Sequence, residues 1–451
     1  MIEDPLFGYR GIARAFLERN GVKIGDRIRV RKSKEKFAVE GIVMPRSLLA
    51  EDGFIEIKLD NGYNIGIRIT EDTIIEKVRE EKKEFKGGLI VPEIPKPKPG
   101  LPYVSIISTG GTIASKVDYR TGAVYPALTS EDLYRAVPEI ADIANIKAEI
   151  LFSIFSENMT PKHWETIAQL VAERIKEGFD GIVITHGTDT MGYTAAALSF
   201  ALQNLPVPVV LVGAQRSSDR PSSDAAMNLY SAVKVAAEAP FAEVVVVMHG
   251  SISDDYCLAH RGTKVRKMHT SRRDAFRSVN DIPLAKVYKD RIELLSKNYR
   301  PRDKNRELEL KNKFDNKVVL LKIYPGMKGD IIEYLVDAGY HGIVLEGTGL
   351  GHTPEALFSA IKRAIREGVP VVMTSQCIWG RINMNVYSTG RELLSFGVIP
   401  GEDMLPETAY VKLSWVLAQT RDLDEVRELM LTNIAGEINR RSLVSLYPPV
   451  I

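Results

Sequence analysis

The sequence predicts an α/β fold for most of the chain, preceded by a small all-β, barrel-like domain. From residue 101 onward, apolar β-branched runs alternate with helical patterns, which is typical of a mostly parallel sheet. Residues 1–80 instead contain short strand-like runs closed by turns, which indicates a small barrel. The 451 residues are enough for two or three domains, each with its own core.

Composition limits the classes of function. The net charge is +2, so no overall field attracts the chain to nucleic acid or to an anionic membrane. The two cysteines form no CxxC motif and no disulfide framework, which favours a reduced compartment. The first residues lack the pattern of a signal peptide, and no apolar run approaches the roughly 20 residues of a membrane span. We therefore expect a cytoplasmic protein without a membrane anchor.

The first domain, residues 1–80, begins with an amphipathic stretch at 11–20 that predicts a helix. Four strand-like runs follow, and Asp60-Asn61-Gly62 predicts a hairpin between the last two. These runs lie at 27–30, 39–43, 54–59 and 63–69. A basic run from Arg27 to Lys36 has two interpretations: contact with RNA phosphates, or a solvated hairpin, which is the commoner case.

The rest of the chain divides at two polar segments. Residues 81–100 end in alternating Pro and Lys and predict an extended spacer, and the charged residues 297–316 predict a second linker. Between them, 101–296 should form one α/β domain, with 317–451 a smaller α/β domain and tail. The predicted strands lie at 104–108, 179–184, 208–212, 242–248, 318–323, 342–345 and 369–373. One predicted helix begins at Thr160-Pro161. The other predicted helices cover 194–202, 222–237, 354–367, 415–420 and 421–434.

Two predicted strands end in turns rich in Gly, Thr and Asp. The strand at 104–108 leads into Thr109–Ser115, and the strand at 179–184 leads into Thr185–Gly192. Ligands of open α/β sheets bind at the carboxyl ends of strands, so we expect these two turns to meet in a site. Their glycines allow a backbone to approach a ligand closely, and their backbone N–H groups could bind an oxyanion.

A threonine hydroxyl is a weak nucleophile unless a base takes its proton. Lys267 can take that proton only when its amino group is uncharged, which burial or neighbouring cations favour. The positive charges of the nearby Arg261, Lys264 and Arg266 are expected to favour the uncharged amino group of Lys267. Taken alone, each of these sequences more often marks an ordinary turn than a functional site, because Gly, Thr and Asp are common turn residues.

Metal and phosphate chemistry are not predicted. The spacing of His249, His260 and His269 fits no zinc pattern. The stretch 347–352 does not match the dinucleotide fingerprint, and the chain has no phosphate loop. We therefore expect no metal and no cofactor in this chain.

In combination, the motifs resemble the bacterial-type L-asparaginase family over residues 101–435. These are the two turns, Val265-Arg266-Lys267, and Gly213–Arg216 running into Ser222–Leu229. The resemblance implies an asparaginase-type two-domain α/β core. It also implies hydrolysis of a side-chain amide, of asparagine or glutamine, through an acyl-enzyme and without a cofactor.

The resemblance assigns catalytic roles residue by residue. Thr112 matches the nucleophilic threonine of the first motif, and Thr188 matches a second catalytic threonine paired with Lys267. Tyr119 and Tyr125 both qualify as the catalytic tyrosine of a mobile loop, with Tyr125 preferred. The family also implies a homodimer, because the C-terminal domain of a neighbouring protomer closes the site.

The resemblance also assigns substrate-binding roles. Asp189 matches the carboxylate that binds the α-amino group of the substrate, in addition to its place in the catalytic cluster. Ser156 and Glu157 match the positions that bind the amino-acid backbone, and Gly111 and Gly187 are the glycines of the two turns.

The N-terminal domain distinguishes the chain from simple asparaginases. With its motifs Val22–Asp26 and Leu59–Asn64, it resembles the asparaginase-like subunits of archaeal tRNA-dependent amidotransferases. This implies a glutaminase that passes ammonia to a partner, the E-type subunit, which uses ATP and Mg to convert Glu-tRNA(Gln) to Gln-tRNA(Gln). The alternatives are a free-standing L-asparaginase/glutaminase and a non-catalytic binding protein on the same scaffold.

Overall fold

The computed structural model describes most of the chain and, for two short strands, the backbone alone. The fully described residues are 4–33, 37–46, 50–60, 63–78, 97–111, 137–217 and 222–447, and the two strands are at 115–118 and 123–126. Within these residues, no helix has the length and apolarity needed to cross a membrane.

The N-terminal domain is a five-stranded antiparallel sheet that packs with one helix around a small apolar core. Its elements are α1 (Gly11–Arg19), β1 (Arg27–Lys32), β2 (Phe37–Val43), β3 (Phe54–Lys58), β4 (Asn64–Arg68) and β5 (Thr73–Lys77). The strand order is β4-β3-β2-β1-β5. The predicted helix and four strands are confirmed, as is the β3–β4 hairpin, which Leu59 N–H closes by bonding the Tyr63 carbonyl. Strand β5 was not predicted.

Ion pairs on the surface of this sheet decide between the two interpretations of its basic run. Arg27 and Arg29 both pair with Glu40, and Arg31 pairs with Glu76. The lysines further along the run lie outside the described residues, apart from Lys32 at the end of β1. The described arginines thus belong to a charge-compensated hairpin, which favours the solvated interpretation.

An eight-stranded sheet forms the centre of the next domain, in the order β18-β17-β14-β13-β12-β10-β6-β9. The strands of this domain are β6 (Tyr103–Gly110), β7 (Ser115–Asp118), β8 (Ala123–Pro126), β9 (Asn145–Ile154), β10 (Gly181–Thr185), β11 (Leu202–Gln203), β12 (Val209–Val212), β13 (Val244–His249), β14 (Cys257–Arg261), β15 (Val265–Lys267), β16 (Phe276–Ser278), β17 (Ala285–Val287), β18 (Ile292–Leu294) and β19 (Glu309–Leu310). Five neighbouring strands of this sheet are parallel, namely β13, β12, β10, β6 and β9. The sheet continues beyond β13 with the antiparallel strands β14, β17 and β18.

Helices cover both faces of this sheet. They are α2 (Pro161–Lys176), α3 (Met191–Ala201) and α4 (Ala225–Glu238). Thr160 and His163 form a capping box at the start of α2, and Pro161 is tolerated at its first position. On the central strand β10, Ile182 and Ile184 pack with α2 and α3, whereas Val183 packs with α4. Burial on both faces explains why this strand is continuously apolar.

The C-terminal domain has a four-stranded parallel sheet, in the order β20-β21-β22-β23. Its elements are β20 (Val318–Lys322), α5 (Asp330–Asp337), β21 (Gly342–Gly347), α6 (Phe358–Arg366), β22 (Val371–Ser375), α7 (Ser388–Ser395), β23 (Ile399–Pro400), α8 (Pro406–Leu417) and α9 (Leu423–Leu431). The helix predicted at 415–420 is wrong in position, because α8 begins at Pro406. This helix buries polar residues such as Lys412 and Ser414, which hid its periodicity.

Residues 297–316 connect the two α/β domains and pack against them. Arg302 and Arg306 donate hydrogen bonds to backbone carbonyls of the N-terminal α/β domain, and β19 pairs with β11. Phe314 packs edge-on against Trp164, with ring centroids 5.5 Å apart. The polar composition of this segment therefore serves hydrogen bonding to the domain surface.

A buried ion pair ties α8 to the chain beyond α9. Lys412 Nζ lies 2.5 Å from Glu437 Oε1, and both side chains are fully buried. The lysine also donates to the carbonyls of Met430 and Thr432, and Glu437 accepts backbone N–H groups of Ile434 and Ala435. The pair therefore satisfies several groups that would otherwise be buried without partners.

Removing the lysine should be strongly destabilising. Lys412→Met leaves the Glu437 carboxylate buried without its counter-ion, which should lower the free energy of unfolding by about 3–5 kcal/mol. Urea denaturation followed by circular dichroism measures this change. As a control, Lys289→Met, which removes an exposed contact with Glu139, should leave the urea midpoint nearly unchanged. Equal midpoints for the two variants would contradict the prediction.

Candidate active site

The two turns that follow β6 and β10 lie side by side. These strands are parallel neighbours, with Ile107 opposite Ile184 and Ser108 opposite Thr185. The Thr109 hydroxyl donates a 2.9 Å hydrogen bond to the Thr185 carbonyl, which joins the ends of both strands. The structure thus confirms the expectation that the two turns meet at one edge of the sheet.

Close backbone packing explains the glycines of both turns. Gly111 has φ +90°, and a Cβ atom there would lie 2.7 Å from the His186 carbonyl carbon. A Cβ atom on Gly187 would lie 2.7 Å from the Cβ of Ser156. Both glycines are therefore required by contacts within the chain, and their part in binding substrate stays a prediction.

Three predicted site residues form a single cluster. Lys267, the last residue of β15, donates hydrogen bonds to Thr188 Oγ1 at 2.9 Å and to Asp189 Oδ1 at 2.6 Å. The lysine side chain is 15% exposed, whereas that of Asp189 is 67% exposed. An amino group in contact with a hydroxyl is placed to exchange a proton with it. The open carboxylate is placed to accept hydrogen bonds from a ligand ammonium.

The cations around Lys267 differ from the expectation. Arg261, Lys264 and Arg266 were expected to favour an uncharged Lys267 by their positive charge. Instead, each of them is ion-paired with a carboxylate of another element. Arg261 pairs with Glu243 and Asp281, Lys264 pairs with Asp403, and Arg266 pairs with Glu407. Carboxylates distant in sequence thus compensate this charge, and the expected effect of the three cations on Lys267 stays a prediction.

Ser156 and Glu157 lie at the end of β9, in the short 3₁₀ turn Ser156–Asn158. Ser156 is buried, and its carbonyl accepts a 2.6 Å hydrogen bond from the hydroxyl of Thr190. The side chain of Glu157 is exposed. Ser156 is thus brought to the second turn, and the roles assigned to both residues stay predictions.

The predicted nucleophile and the two candidate tyrosines have no described side chains. Thr112 lies outside the described residues, and so does Tyr119. Tyr125 lies in β8, which pairs with β7 and of which only the backbone is described. The assignments of Thr112 as nucleophile and of Tyr125 as catalytic tyrosine therefore remain predictions.

A buried hydrogen-bond chain below the second turn was missed in the sequence. Trp164 Nε1 donates to Thr194 Oγ1 at 3.2 Å, and the Thr194 hydroxyl bonds His186 Nε2 at 2.8 Å. His186 Nδ1 lies 2.7 Å from the Gly187 carbonyl oxygen. Burial lowers the pKa of His186 to about 4, so the ring is neutral near pH 7, accepting at Nε2 and donating at Nδ1. A histidine directly after a buried strand was the available signal.

A second polar network supports the turn after β12. The Asp224 carboxylate accepts backbone N–H groups of Gln215 and Arg216 at 3.0 and 2.9 Å. Asn228 Nδ2 donates to the Gly213 carbonyl at 2.9 Å. A Cβ atom on Gly213 would lie 2.9 Å from Thr188 Cγ2, so this turn packs directly against the cluster of Thr188, Asp189 and Lys267.

The histidine cluster of the sequence has structural partners. His249 Nδ1 lies 2.5 Å from Asn228 Oδ1, and His260 Nδ1 lies 2.9 Å from Ser278 Oγ. His269 is exposed and accepts two backbone N–H groups. Across the part of the chain that the structure describes, no group of three His, Cys, Asp or Glu side chains is placed to hold a metal ion.

Comparison with known proteins defines the class of this fold. Residues 103–300 match the family model for the asparaginase N-terminal domain, and 317–430 match that for the glutaminase/asparaginase C-terminal domain. The thermostable L-asparaginase from Thermococcus kodakarensis is 36% identical in sequence, with a TM-score of 0.67, over 75% of this chain and 99% of that chain. The chain therefore has an asparaginase-type amidohydrolase fold.

The N-terminal domain identifies the family of this chain within the asparaginase-type class. Residues 22–78 match the family model for the GatD N-terminal domain. The D-type subunit (GatD) of glutamyl-tRNA(Gln) amidotransferase from Pyrococcus furiosus is 60% identical over 430 residues, which is 94% of this chain and 96% of that protein. The corresponding subunit from Methanobrevibacter smithii is 54% identical over 442 residues, 97% and 99% of the two chains. The chain belongs to the GatD family of glutamyl-tRNA(Gln) amidotransferase subunits.

The buried His186 should make stability depend on pH. Its folded-state pKa of about 4 lies below the ordinary value of 6.5, so its contribution is complete above pH 6.5 and is lost as the pH falls toward 4. This loss should amount to about 3 kcal/mol of the free energy of unfolding. Urea denaturation at several pH values measures this change. As the pH falls from 6.5 toward 4, the free energy of unfolding should decrease less in His186→Gln than in the wild type.

The matched control for this prediction is His269→Gln, at an exposed histidine. It should retain the full decrease in stability, because it leaves the buried ring in place. An identical pH dependence in His186→Gln and in the wild type would show that the protonation of this ring is not linked to folding.

Proposed function

We propose that this chain is the ammonia-releasing glutaminase subunit of a tRNA-dependent amidotransferase. The observation that carries the proposal is the contact of Lys267 with Thr188 and Asp189 at the carboxyl end of β10. Relatives named as GatD subunits of glutamyl-tRNA(Gln) amidotransferase match nearly the whole chain, including the N-terminal domain. In the proposed complex, the E-type subunit uses ATP and Mg to activate Glu-tRNA(Gln) and receives the ammonia.

The proposed reaction has two steps. The Thr112 hydroxyl oxygen attacks the side-chain amide carbon of glutamine, its proton passes to the departing nitrogen, and ammonia leaves an acyl-enzyme. Water then adds to the ester, glutamate leaves, and the threonine hydroxyl regains a proton. Thr188 and Lys267 move protons during these steps, with Tyr125 assisting on the acylation side. The 2.9 Å contact between Lys267 Nζ and Thr188 Oγ1 supports this pairing.

Substrate specificity follows from the exposed carboxylate. We assign Asp189 to the α-ammonium group of the substrate, because its side chain is open to solvent beside the catalytic hydroxyl. Ser156 and Glu157 bind the remainder of the amino-acid backbone, and Gly111 and Gly187 leave room for it. The C-terminal domain of a second copy closes the site in a homodimer.

One observation favours a second candidate, a free-standing L-asparaginase/glutaminase. The L-asparaginase from Thermococcus kodakarensis aligns over 99% of its length with only 75% of this chain. The core without the N-terminal domain thus has the extent of an entire L-asparaginase. This candidate predicts full turnover by the purified chain alone.

Substitutions in the cluster test the catalytic assignment. Lys267→Met and Thr188→Val should each lower ammonia release by on the order of 10²-fold or more, because each removes a proton-transfer group. Ammonia is measured by a coupled enzymatic assay under the conditions of maximal wild-type turnover. Lys176→Met, at an exposed lysine near the end of α2, is the control and should keep wild-type rates. Wild-type rates in Lys267→Met would refute the assigned site.

The dependence on a partner separates the two candidates. Ammonia release from glutamine and from asparagine is measured with the chain alone, and again with the E-type subunit and Glu-tRNA(Gln). We expect glutamine hydrolysis to be low for the chain alone and to rise when both additions are present. Rapid hydrolysis of asparagine by the chain alone, unchanged by the additions, would instead establish the free-standing enzyme.

A further inference from the structure

The strand that carries Lys267 is not part of the eight-stranded sheet. Among the described strands, β15 pairs with β16 alone, in a separate two-stranded ribbon in which Lys267 lies opposite Phe276. Short two-stranded ribbons have little stability of their own and depend on packing against other elements. The position of the catalytic lysine must therefore be fixed by contacts outside its own ribbon.

The C-terminal domain supplies charged contacts to this strand and the turn before it. Arg266 Nε lies 3.0 Å from Glu407 Oε1, and Lys264 Nζ lies 2.8 Å from Asp403 Oδ2. Glu407 is in the first turn of α8, and Asp403 is just before this helix. Successive side chains of a strand point to opposite faces, so Arg266 can reach the C-terminal domain while Lys267 reaches Thr188.

Neutral hydrogen bonds strengthen the same connection. The Thr408 hydroxyl, also in the first turn of α8, donates to the Thr263 carbonyl at 2.9 Å. The Thr263 hydroxyl donates to the Ala435 carbonyl at 3.1 Å. The start of α8 is therefore attached to the turn that precedes β15 and to β15 itself.

We infer that Arg266 and Glu407 are positioning residues that hold β15 so that the amino group of Lys267 reaches the Thr188 hydroxyl. This inference rests on the catalytic role proposed above for Lys267. A displacement of about 1 Å in a catalytic group can lower a rate by roughly 10²-fold. Loss of the Arg266–Glu407 pair therefore slows the chemical step without removing any group that touches the substrate.

The Arg266–Glu407 pair can be tested by substitutions that should leave the chain folded. The Arg266 and Glu407 side chains are 32% and 18% exposed, so each keeps some contact with solvent when the pair is broken, although Glu407 Oε2 itself is buried. The Lys264–Asp403 pair, by contrast, is almost completely buried, and its variants are expected to misfold. Arg266→Met and Glu407→Gln are therefore the informative substitutions, with thermal unfolding as the check on folding.

The test measures kcat and KM for ammonia release from glutamine, using the full-length chain with the E-type subunit and Glu-tRNA(Gln). Arg266→Met and Glu407→Gln should each lower kcat about tenfold with KM nearly unchanged. The double variant should be no slower than the slower single variant, because both substitutions break the same contact. Arg266→Lys, which can keep the ion pair, should recover part of the loss.

A direct electrostatic effect on Lys267 is distinguishable from a positional one. Removing the Arg266 cation and removing the Glu407 anion change the local charge in opposite directions, so a purely electrostatic effect would change kcat or its pH profile in opposite directions. A positional effect lowers kcat in both variants. Arg272→Met is the matched control, because Arg272 pairs with Asp274 within the loop of the same ribbon. It should keep the wild-type kcat.

The outcomes separate failure of the inference from failure of the proposed site. If Lys267→Met is inactive while Arg266→Met and Glu407→Gln keep the wild-type kcat, the positioning role is wrong and the catalytic site stands. If Lys267→Met itself keeps the wild-type rate, the proposed site fails, and the inference fails with it. Equal losses of kcat in the Arg272→Met control would also overturn the inference.

Discussion

The parallel pairing of β6 with β10 is the constraint on which the site depends. It brings the ends of both strands to one edge of the sheet, where the Thr109 hydroxyl bonds the Thr185 carbonyl. The turns then approach so closely that no side chain fits at Gly111, and Ser156, just after β9, leaves no room for one at Gly187. A slip of either strand by one residue would turn its side chains to the opposite face and separate the turns. The fold therefore fixes the site before any catalytic side chain is considered.

Hydrogen bonding of buried groups then fixes the orientation of the second turn. The neutral ring of His186 bonds the Gly187 carbonyl on one side and the Thr194 hydroxyl on the other. In a trans peptide, the carbonyl and the following N–H point in opposite directions, so holding the Gly187 carbonyl also orients the Thr188 N–H. Protonating the ring would remove the acceptor at Nε2. Burial, which disfavours that protonation, thus preserves the geometry next to the Thr188 hydroxyl.

The sequence predicted the part of the candidate site that the structure describes, because Thr188 and Asp189 closely follow an apolar strand. Thr188, Asp189 and Lys267 were chosen from motifs, and the structure joins them. The charge balance around Lys267 was not predictable, because it depends on carboxylates such as Glu407, which is remote in the chain and belongs to the other α/β domain. Helix α8 was misplaced for a related reason: its polar residues are buried in partnerships that only the tertiary structure creates. Periodicity predicts burial, and it fails where buried groups are polar.

The pairing of charges around β15 leaves one carboxylate much more exposed to solvent than the others. Four cations lie between residues 261 and 267, and each is paired with a carboxylate. The carboxylate of Asp403 is 1% exposed and that of Glu407 is 18% exposed, whereas that of Asp189 is 67% exposed. Among these pairs, a ligand ammonium can compete most readily for Asp189. Such competition would release the Lys267 amino group from Asp189 while Thr188 remains within its reach, so, under the proposed function, binding of the substrate and release of Lys267 from this carboxylate would occur together.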